Sequence, residues 1–333
     1  TGFSRLSRYW AWLFLVANVV PYLIPAWAKG AAEILSWLLH GQRFELHRVD
    51  GREVHEIVDH WRVTELAIGG MWLCGIILTA GPIVYKTVEK LQFVLVALVM
   101  ILTTILGCMV IRWDAVVELV VATVTFGYPN FVPQMGQNSQ LDAMLLLGAI
   151  AFAGAGGTLN LGQSNYIKDK GYAMGKYIGR ITSPITGQEE AISELGYHFA
   201  HSPENMNWWK IWWRRTGTEH FLAFYLPCVF CLVLLALISY SLFYTPEGIL
   251  RPGAEKYGKD MNFIYGQSIE LERIAGPVVR LLFLVMGVVV LFTTELGILD
   301  ACSRISTDIV KVNWLRENSR WSESKLYYIF LWG

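Results

Sequence analysis

The sequence is short of charge. Only 16% of its 333 residues are Asp, Glu, Lys or Arg, against roughly 25% in an average soluble domain, which argues against a water-soluble globule. Neither sign is in excess. The 27 basic residues balance the 27 acidic ones, so no net field draws a polyanion and nucleic acid is not expected as a partner. Five cysteines follow no regular framework, which argues against a disulfide scaffold. Cys228 and Cys231 have redox or zinc spacing but lie in the most apolar stretch, with no second pair. No GxxxxGK[ST] run occurs, so a bound nucleotide is not expected. His55 and His60 are five residues apart, one too many to share a zincin helix face. His198 and His201 have no third ligand nearby in sequence. No catalytic constellation can be assembled, and the chain does not read as an enzyme.

What is abundant is apolar and aromatic. Hydrophobic residues make up 54% of the chain, with 30 glycines and 14 tryptophans, a composition that suits a multi-pass protein of the cell membrane. A bilayer core needs about 20 apolar residues in a helix. Six stretches qualify: 9–28, 66–85, 91–111, 141–161, 221–243 and 277–298. A seventh begins at Tyr327. Lys86 to Lys90 reads as the tight turn between the second and third. The chain opens on Thr1 and closes on an apolar run, so a fragment of a longer membrane protein is expected. With loops on alternate sides, one side collects nine Lys and Arg and the other sixteen. The positive-inside rule then puts the richer side, and the first residues, in the cytoplasm. The run Trp208-Trp209-Lys210-Ile211-Trp212-Trp213-Arg214-Arg215 reads as an interfacial anchor before the fifth span. The apolar stretch 115–132, broken by Gly127 and Pro129, reads as an interfacial helix.

Function in such a bundle is expected where helices stop being regular, because unpaired backbone is tolerated at depth only beside a cavity or under protein. Gly154-Ala155-Gly156-Gly157-Thr158-Leu159-Asn160-Leu161-Gly162 is the main such place. Four glycines in nine residues weaken a continuous helix, and the pattern is helical again over 164–175. Two half-helices meeting at a break expose dipole ends and loose carbonyls that hold a cation. Close packing through small residues is the other reading of the same glycines. Pro21 and Pro25 kink the first span. Lys29 and Glu33 follow on one helix face, either as an ion pair or with Glu33 as a functional acid. Glu295 and Asp300 read as caps or as partners of Arg304.

These residues carry a resemblance. Leu145-Leu146-Leu147-Gly148, the run Gly154 to Asn160, and Lys170-Gly171-Tyr172 resemble the sixth transmembrane helix of the Nramp (natural resistance-associated macrophage protein) family. These are proton-coupled divalent metal transporters of LeuT-type fold. Tyr85-Lys86-Thr87-Val88-Glu89-Lys90-Leu91-Gln92 resembles the start of the family's fifth helix. Ala31-Ala32-Glu33-Ile34 resembles the end of its third, and Leu296-Gly297-Ile298-Leu299-Asp300 part of its eighth. The resemblance implies an all-α integral membrane protein, a LeuT-like (APC-type) inverted-repeat bundle. Residues 1–333 would be a single transmembrane domain covering family helices three to eight and the start of nine. The third helix of the family runs from inside to outside, in agreement with the charge count.

By the same resemblance the chain is a divergent Nramp-related secondary transporter of divalent metal cations, linked to protons. Its cargo would be Mn²⁺, Fe²⁺ or Mg²⁺ with H⁺, and no cofactor is tightly bound; its partners are the bilayer and the metal. The metal would meet the Ala155 carbonyl and the Thr158 hydroxyl, with Asn160 beside them, at a break formed by Gly154, Gly156, Gly157 and Gly162. Thr158, Leu159 and Asn160 stand where the family has Met-Pro-His, so the soft thioether is absent. Gly30 replaces a family acid, leaving Glu33 as the remaining member of the proton pathway. The Asp-Pro-Gly-Asn ligands of the family's first helix lie outside this sequence. A LeuT-fold carrier of a small organic solute, and a non-transporting membrane scaffold or enzyme, are the alternatives. Thr158 yields a prediction: a hydroxyl has little preference for soft ions, so Mg²⁺ should compete with Mn²⁺ uptake by the full-length protein about as well as Cd²⁺ does. Thr158→Met should shift the competition towards Cd²⁺, and a large Cd²⁺ advantage that Thr158→Ala leaves untouched would remove Thr158 from the site.

Overall fold

The computed structural model describes residues 9–20, 25–41, 43–49, 52–58, 62–125, 159, 161–187, 198–254, 257, 261–316, 318 and 320–333. Helices α1 (Tyr9–Val19) and α2 (Ala26–His40) divide the stretch expected as one span over 9–28. Pro25, which has no N–H to offer a preceding turn, stands immediately before the second helix, and Pro21 lies outside the described residues. Strands β1 (Arg43–Val49) and β2 (Arg52–Val58) pair antiparallel, with Val49 opposite Arg52 and Arg43 opposite Val58. This hairpin departs from the all-α expectation. Its sequence alternates in Phe44-Glu45-Leu46-His47 of β1, and the two strands flank Asp50-Gly51, a tight-turn dipeptide.

Helices α3 (Val63–Ala80) and α4 (Val84–Val110) follow, then α5 (Trp113–Val124), α6 (Gly162–Asp169), α7 (Pro203–His220), α8 (Leu226–Phe243), α9 (Asn262–Ala275), α10 (Pro277–Trp314) and α11 (Glu323–Trp332). Four of the described helical stretches are long and apolar enough to cross a membrane: Val63–Ala80, Val84–Val110, Pro203–Phe243 and Pro277–Trp314. They mark a helical membrane protein. The expected span 141–161 lies outside the described residues apart from Leu159 and Leu161. The expected interfacial stretch 115–132 is helical as far as Val124, where α5 ends.

The turn between α3 and α4 lies at Gly81-Pro82-Ile83, not at 86–90, where the chain is already helical. Gly81 is required there by space. A Cβ at this position would sit 1.7 Å from the Thr87 hydroxyl, and Thr87 cannot swing away freely because β-branching stiffens it. Ile83 then bridges to Thr182 in antiparallel sense, and Ser183 donates from its hydroxyl to the Thr79 carbonyl at 2.6 Å.

The anchor run 208–215 belongs to α7, which continues without interruption through a π-helical turn at Phe221–Tyr225 into α8. Pro227 explains the turn. It has no N–H to offer Ala223, and the mismatch is absorbed by a wider loop in which the Leu226 N–H reaches back to the Phe221 carbonyl.

Helix α10 is the spine. At 38 residues it is about 57 Å long, nearly twice the roughly 30 Å of a hydrocarbon core. Its first half meets α2 through two glycines: Leu291 lies 3.1 Å from the Cβ position of Gly30, and Ile34 3.0 Å from that of Gly287. Small residues thus let the two backbones approach closely. Ile34, Leu242, Ile238, Leu271 and Leu284 are buried around this seam. A second cluster of Cys74, Leu78, Val84, Val88, Leu296 and Tyr327 joins α3, α4, α10 and α11.

Two polar side chains, Asn18 and Glu295, tie the N-terminal helices to the spine. The fully buried Asn18 of α1 donates from Nδ2 to the Cys302 carbonyl and the Ser306 hydroxyl, both at 3.0 Å. Glu295 accepts from the Ala28 backbone N–H in the first turn of α2, where Pro25 provides no side-chain cap. A carboxylate at a helix start satisfies a free N–H and suits the helix dipole.

Gly81 generates a prediction. Gly81→Ala should lower the unfolding free energy by about 1–3 kcal/mol through overpacking, read as a fall in melting temperature in detergent. Combining it with Thr87→Ala should recover part of that loss, since the closest clashing atom is then gone.

Candidate functional site

Helix α6 starts where the glycine-rich run stops. Gly162 is its buried first residue, and a Cβ there would lie 3.5 Å from the Ala301 side chain of α10. The helix ends at Asp169 rather than continuing to 175. The Gly171 N–H donates to the Lys168 carbonyl at 2.9 Å and the Tyr172 N–H to that of Ile167 at 3.3 Å. Gly171 has φ of 77°, the left-handed value this Schellman closure demands. The short helix therefore presents Tyr166, Lys168 and Asp169 towards α10, and the turn after it presents Lys170 and Tyr172 towards α7.

The α10 side holds a buried charge cluster. Arg304 is 0% exposed, as are the side chains of Asp169 and Asp300. Its Nε donates to Asp300 Oδ1 at 2.8 Å, and its Nη1 donates to Asp169 Oδ2. The guanidinium lies 5.5 Å from the Tyr166 ring centre and 5.6 Å from that of Tyr327. Both tyrosines serve Asp300: Tyr327 donates to Oδ1 at 2.7 Å and Tyr166 to Oδ2 at 3.1 Å. Asp300 thus accepts three hydrogen bonds. Asp169 Oδ1 and Arg304 Nη2 are buried with no hydrogen-bond partner among the described residues.

The same region continues outward through Lys168, whose Nζ lies 3.5 Å from Glu323 Oε2 at the start of α11. Asp308 accepts from Asn165 and feels the Lys168 charge. Among the described residues two cations, Lys168 and Arg304, therefore face four acids: Asp169, Asp300, Asp308 and Glu323. Burial pushes the Glu323 carboxyl up to about 7, with Asp308 adding to the rise and Lys168 opposing it.

The α7 side holds a second, more open set. Lys170 Nζ pairs with Glu219 and lies 3.3 Å from Glu89 Oε1, while the Tyr172 hydroxyl donates to the other Glu219 oxygen. Burial alone would lower the Lys170 ammonium, but Glu219 and Glu89 hold it above its ordinary value. Gln163 Nε2 and His220 Nδ1 are 2.8 Å apart. Between the two sets is a cavity of about 280 Å³ whose walls include Tyr85, Leu159, Gln163, Tyr166, Glu219 and His220. It is aromatic, with a few convergent polar groups, the usual character of a small-ligand pocket.

Of the residues expected from the sequence, Gly162 begins α6 and its neighbours Leu159 and Gln163 form part of the cavity wall. Gly154, Ala155, Gly156, Gly157, Thr158 and Asn160 lie outside the described residues. Glu33 is buried on α2, with Oε1 3.2 Å from Lys29 Nζ. Asp300 does pair with Arg304, whereas Glu295 serves α2. Among the described residues, no three His, Cys, Asp or Glu side chains converge in a way that could hold a metal ion.

The residues not anticipated are Tyr166, Asp169, Glu219, Glu323 and Tyr327. One signal for the cluster was available: Asp300, Arg304 and Asp308 at four-residue spacing on the continuation of an apolar helix. Compared with known proteins, the chain matches no protein-family model, no curated protein and no solved structure. The Nramp resemblance rests on the quoted residues alone.

Glu323 generates a pH prediction. A carboxyl whose folded pKa of about 7 exceeds its ordinary 4.5 binds its proton more tightly in the folded state, so stability falls as pH rises through that window and levels off above it. Glu323→Gln should flatten the melting temperature between those pH values. An unchanged slope would place the titration elsewhere.

Proposed function

We propose that this chain is part of a secondary active transporter that carries a divalent metal cation, Mn²⁺, Fe²⁺ or Mg²⁺, across the cell membrane with linked proton movement. One observation carries the reading. Tyr166 lines the cavity at the end of the glycine-rich run, and its hydroxyl donates to Asp300 in the buried Arg304 cluster. Cargo at the break is then one side chain away from a set of groups with more acids than bases. In this reading the Ala155 carbonyl, the Thr158 hydroxyl and the Asn160 side chain take the cation, at the parting of two half-helices within a LeuT-like bundle. Glu323 takes up and releases a proton near neutral pH, and Glu33 is the second acid of the path. The charge count supports a cytoplasmic position for the first residues.

A small organic solute is the second reading, favoured by the aromatic wall of the cavity and the Gln163–His220 contact. Uptake into liposomes separates them. The full-length protein should take up Mn²⁺ above empty controls, faster with acid outside. Tyr166→Phe should slow the proton-driven component roughly tenfold, the value of one hydrogen bond to a charged group, and spare uptake without a pH gradient. Absence of Mn²⁺, Fe²⁺ and Mg²⁺ uptake would overturn the metal reading, and equal loss in both conditions would take Tyr166 out of the proton link.

A further inference from the structure

The outer face of α7 bears a groove that the transport reading does not use. It is about 740 Å³ in volume and is bounded by Lys210, Arg214 and Arg215 on α7 and by Tyr172 beyond α6. Lys210 and Arg214 are four residues apart, hence on one helix face. Both are exposed, and neither has an acidic partner among the described residues. Arg215 is fixed in place: its guanidinium lies 5.3 Å from the ring centres of both Tyr172 and Trp212, a cation–π arrangement. Glu219, the acid of the groove, is already engaged by Lys170 and Tyr172. The groove therefore carries uncompensated positive charge.

Its height relative to the bilayer is set by the helix. Helix α7 runs unbroken through the turn at Phe221–Tyr225 into the apolar α8, so Arg214 and Arg215 precede the apolar stretch by about 10 Å of helix. That is the headgroup layer. The exposed indoles of Trp208, Trp209 and Trp213 surround the same level, where indoles collect in membranes.

We propose that this groove is a binding site for the phosphate of an anionic phospholipid, with Lys210 and Arg214 as the charges that meet the phosphate and Arg215 as a preset third. A lipid fits better than a soluble phosphate because the groove opens beside the start of a membrane span. The acyl chains can lie along the exposed Leu222 while the headgroup stays among the cations.

The test uses the full-length protein in nanodiscs of phosphatidylcholine, with or without one fifth phosphatidylglycerol, and reads retention of labelled phosphatidylglycerol together with melting temperature. Wild type should retain phosphatidylglycerol over phosphatidylcholine and melt higher with it. Lys210→Gln with Arg214→Gln should weaken retention about 25-fold, two charges near a membrane surface at about fivefold each. Lys210→Arg with Arg214→Lys should retain the lipid, which separates lost charge from lost folding. Equal retention of the two lipids, unchanged retention in the glutamine variant, or loss in the charge-preserving variant would overturn the proposal. So would millimolar inorganic phosphate that displaces the lipid and reproduces its stabilisation in pure phosphatidylcholine, since the groove would then be a free-anion site.

Discussion

The arrangement at the lower half of the spine follows from one constraint: a guanidinium that never meets water. Removing an arginine from solvent costs several kcal/mol even after relaxation, and the loss is offset only when opposite charge and hydrogen bonds surround the ion. Arg304 meets this demand with Asp300 from its own helix and Asp169 from α6, under the faces of Tyr166 and Tyr327. Those partners come from α6, α10 and α11. The short α6 is therefore held by charge at Asp169 and ended by the Schellman turn at Gly171, with Gly162 in ordinary contact with Ala301.

The same constraint shapes the electrostatics around it. Asp300 accepts three hydrogen bonds, whereas one oxygen of Asp169 and one nitrogen of Arg304 find no partner among the described residues. Among the described residues four acids surround two cations in a desolvated place; burial raises Glu323 to about 7, and Asp308 adds to the rise while Lys168 opposes it. Tyr166 connects it to the cavity. The upper half of the spine contrasts with this: α2 and α10 meet through Gly30, Gly287, Ile34 and Leu291, a seam of van der Waals contact closed by the single carboxylate of Glu295. One half is held by charge and the other by shape.

Much of the helical architecture was legible in the sequence, because membrane spans are written in long apolar runs. The stretches around 66–85, 91–111, 221–243 and 277–298 all fall in long helices, though the structure moves their ends. The shifts have local causes. Gly81-Pro82 places the first turn, Pro227 is absorbed by a π-helical turn instead of starting the helix, and α10 extends past Ile298 because its polar residues find buried partners. The hairpin at 43–58 was not legible from periodicity, because Arg52-Glu53-Val54-His55-Glu56-Ile57-Val58 does not alternate; the Asp50-Gly51 dipeptide was its one local signal. The charge cluster was half legible. Spacing brings Asp300 to Arg304, but nothing local brings Asp169, 135 residues away in sequence, or Tyr327. The glycine-rich run marked the right neighbourhood, since Leu159 and Gln163 wall the cavity. Its polar partners come from α7 and α4, which no local pattern relates to that run.

The length of α10 has a mechanical consequence. A stiff rod that packs on α2 in its first half and on α1, α6 and α11 in its second links the elements at its two ends. Its start follows Gly276, whose φ of 88° makes a ready pivot, and its far end bears Arg304 and the residues bonded to it. A shift of the rod at the α2 seam is therefore passed to that far end and to what is bonded there. Asp169 and α6 are fastened to the moving arm, so a small displacement among the packed glycines would change the width of the cavity without any local rearrangement inside it.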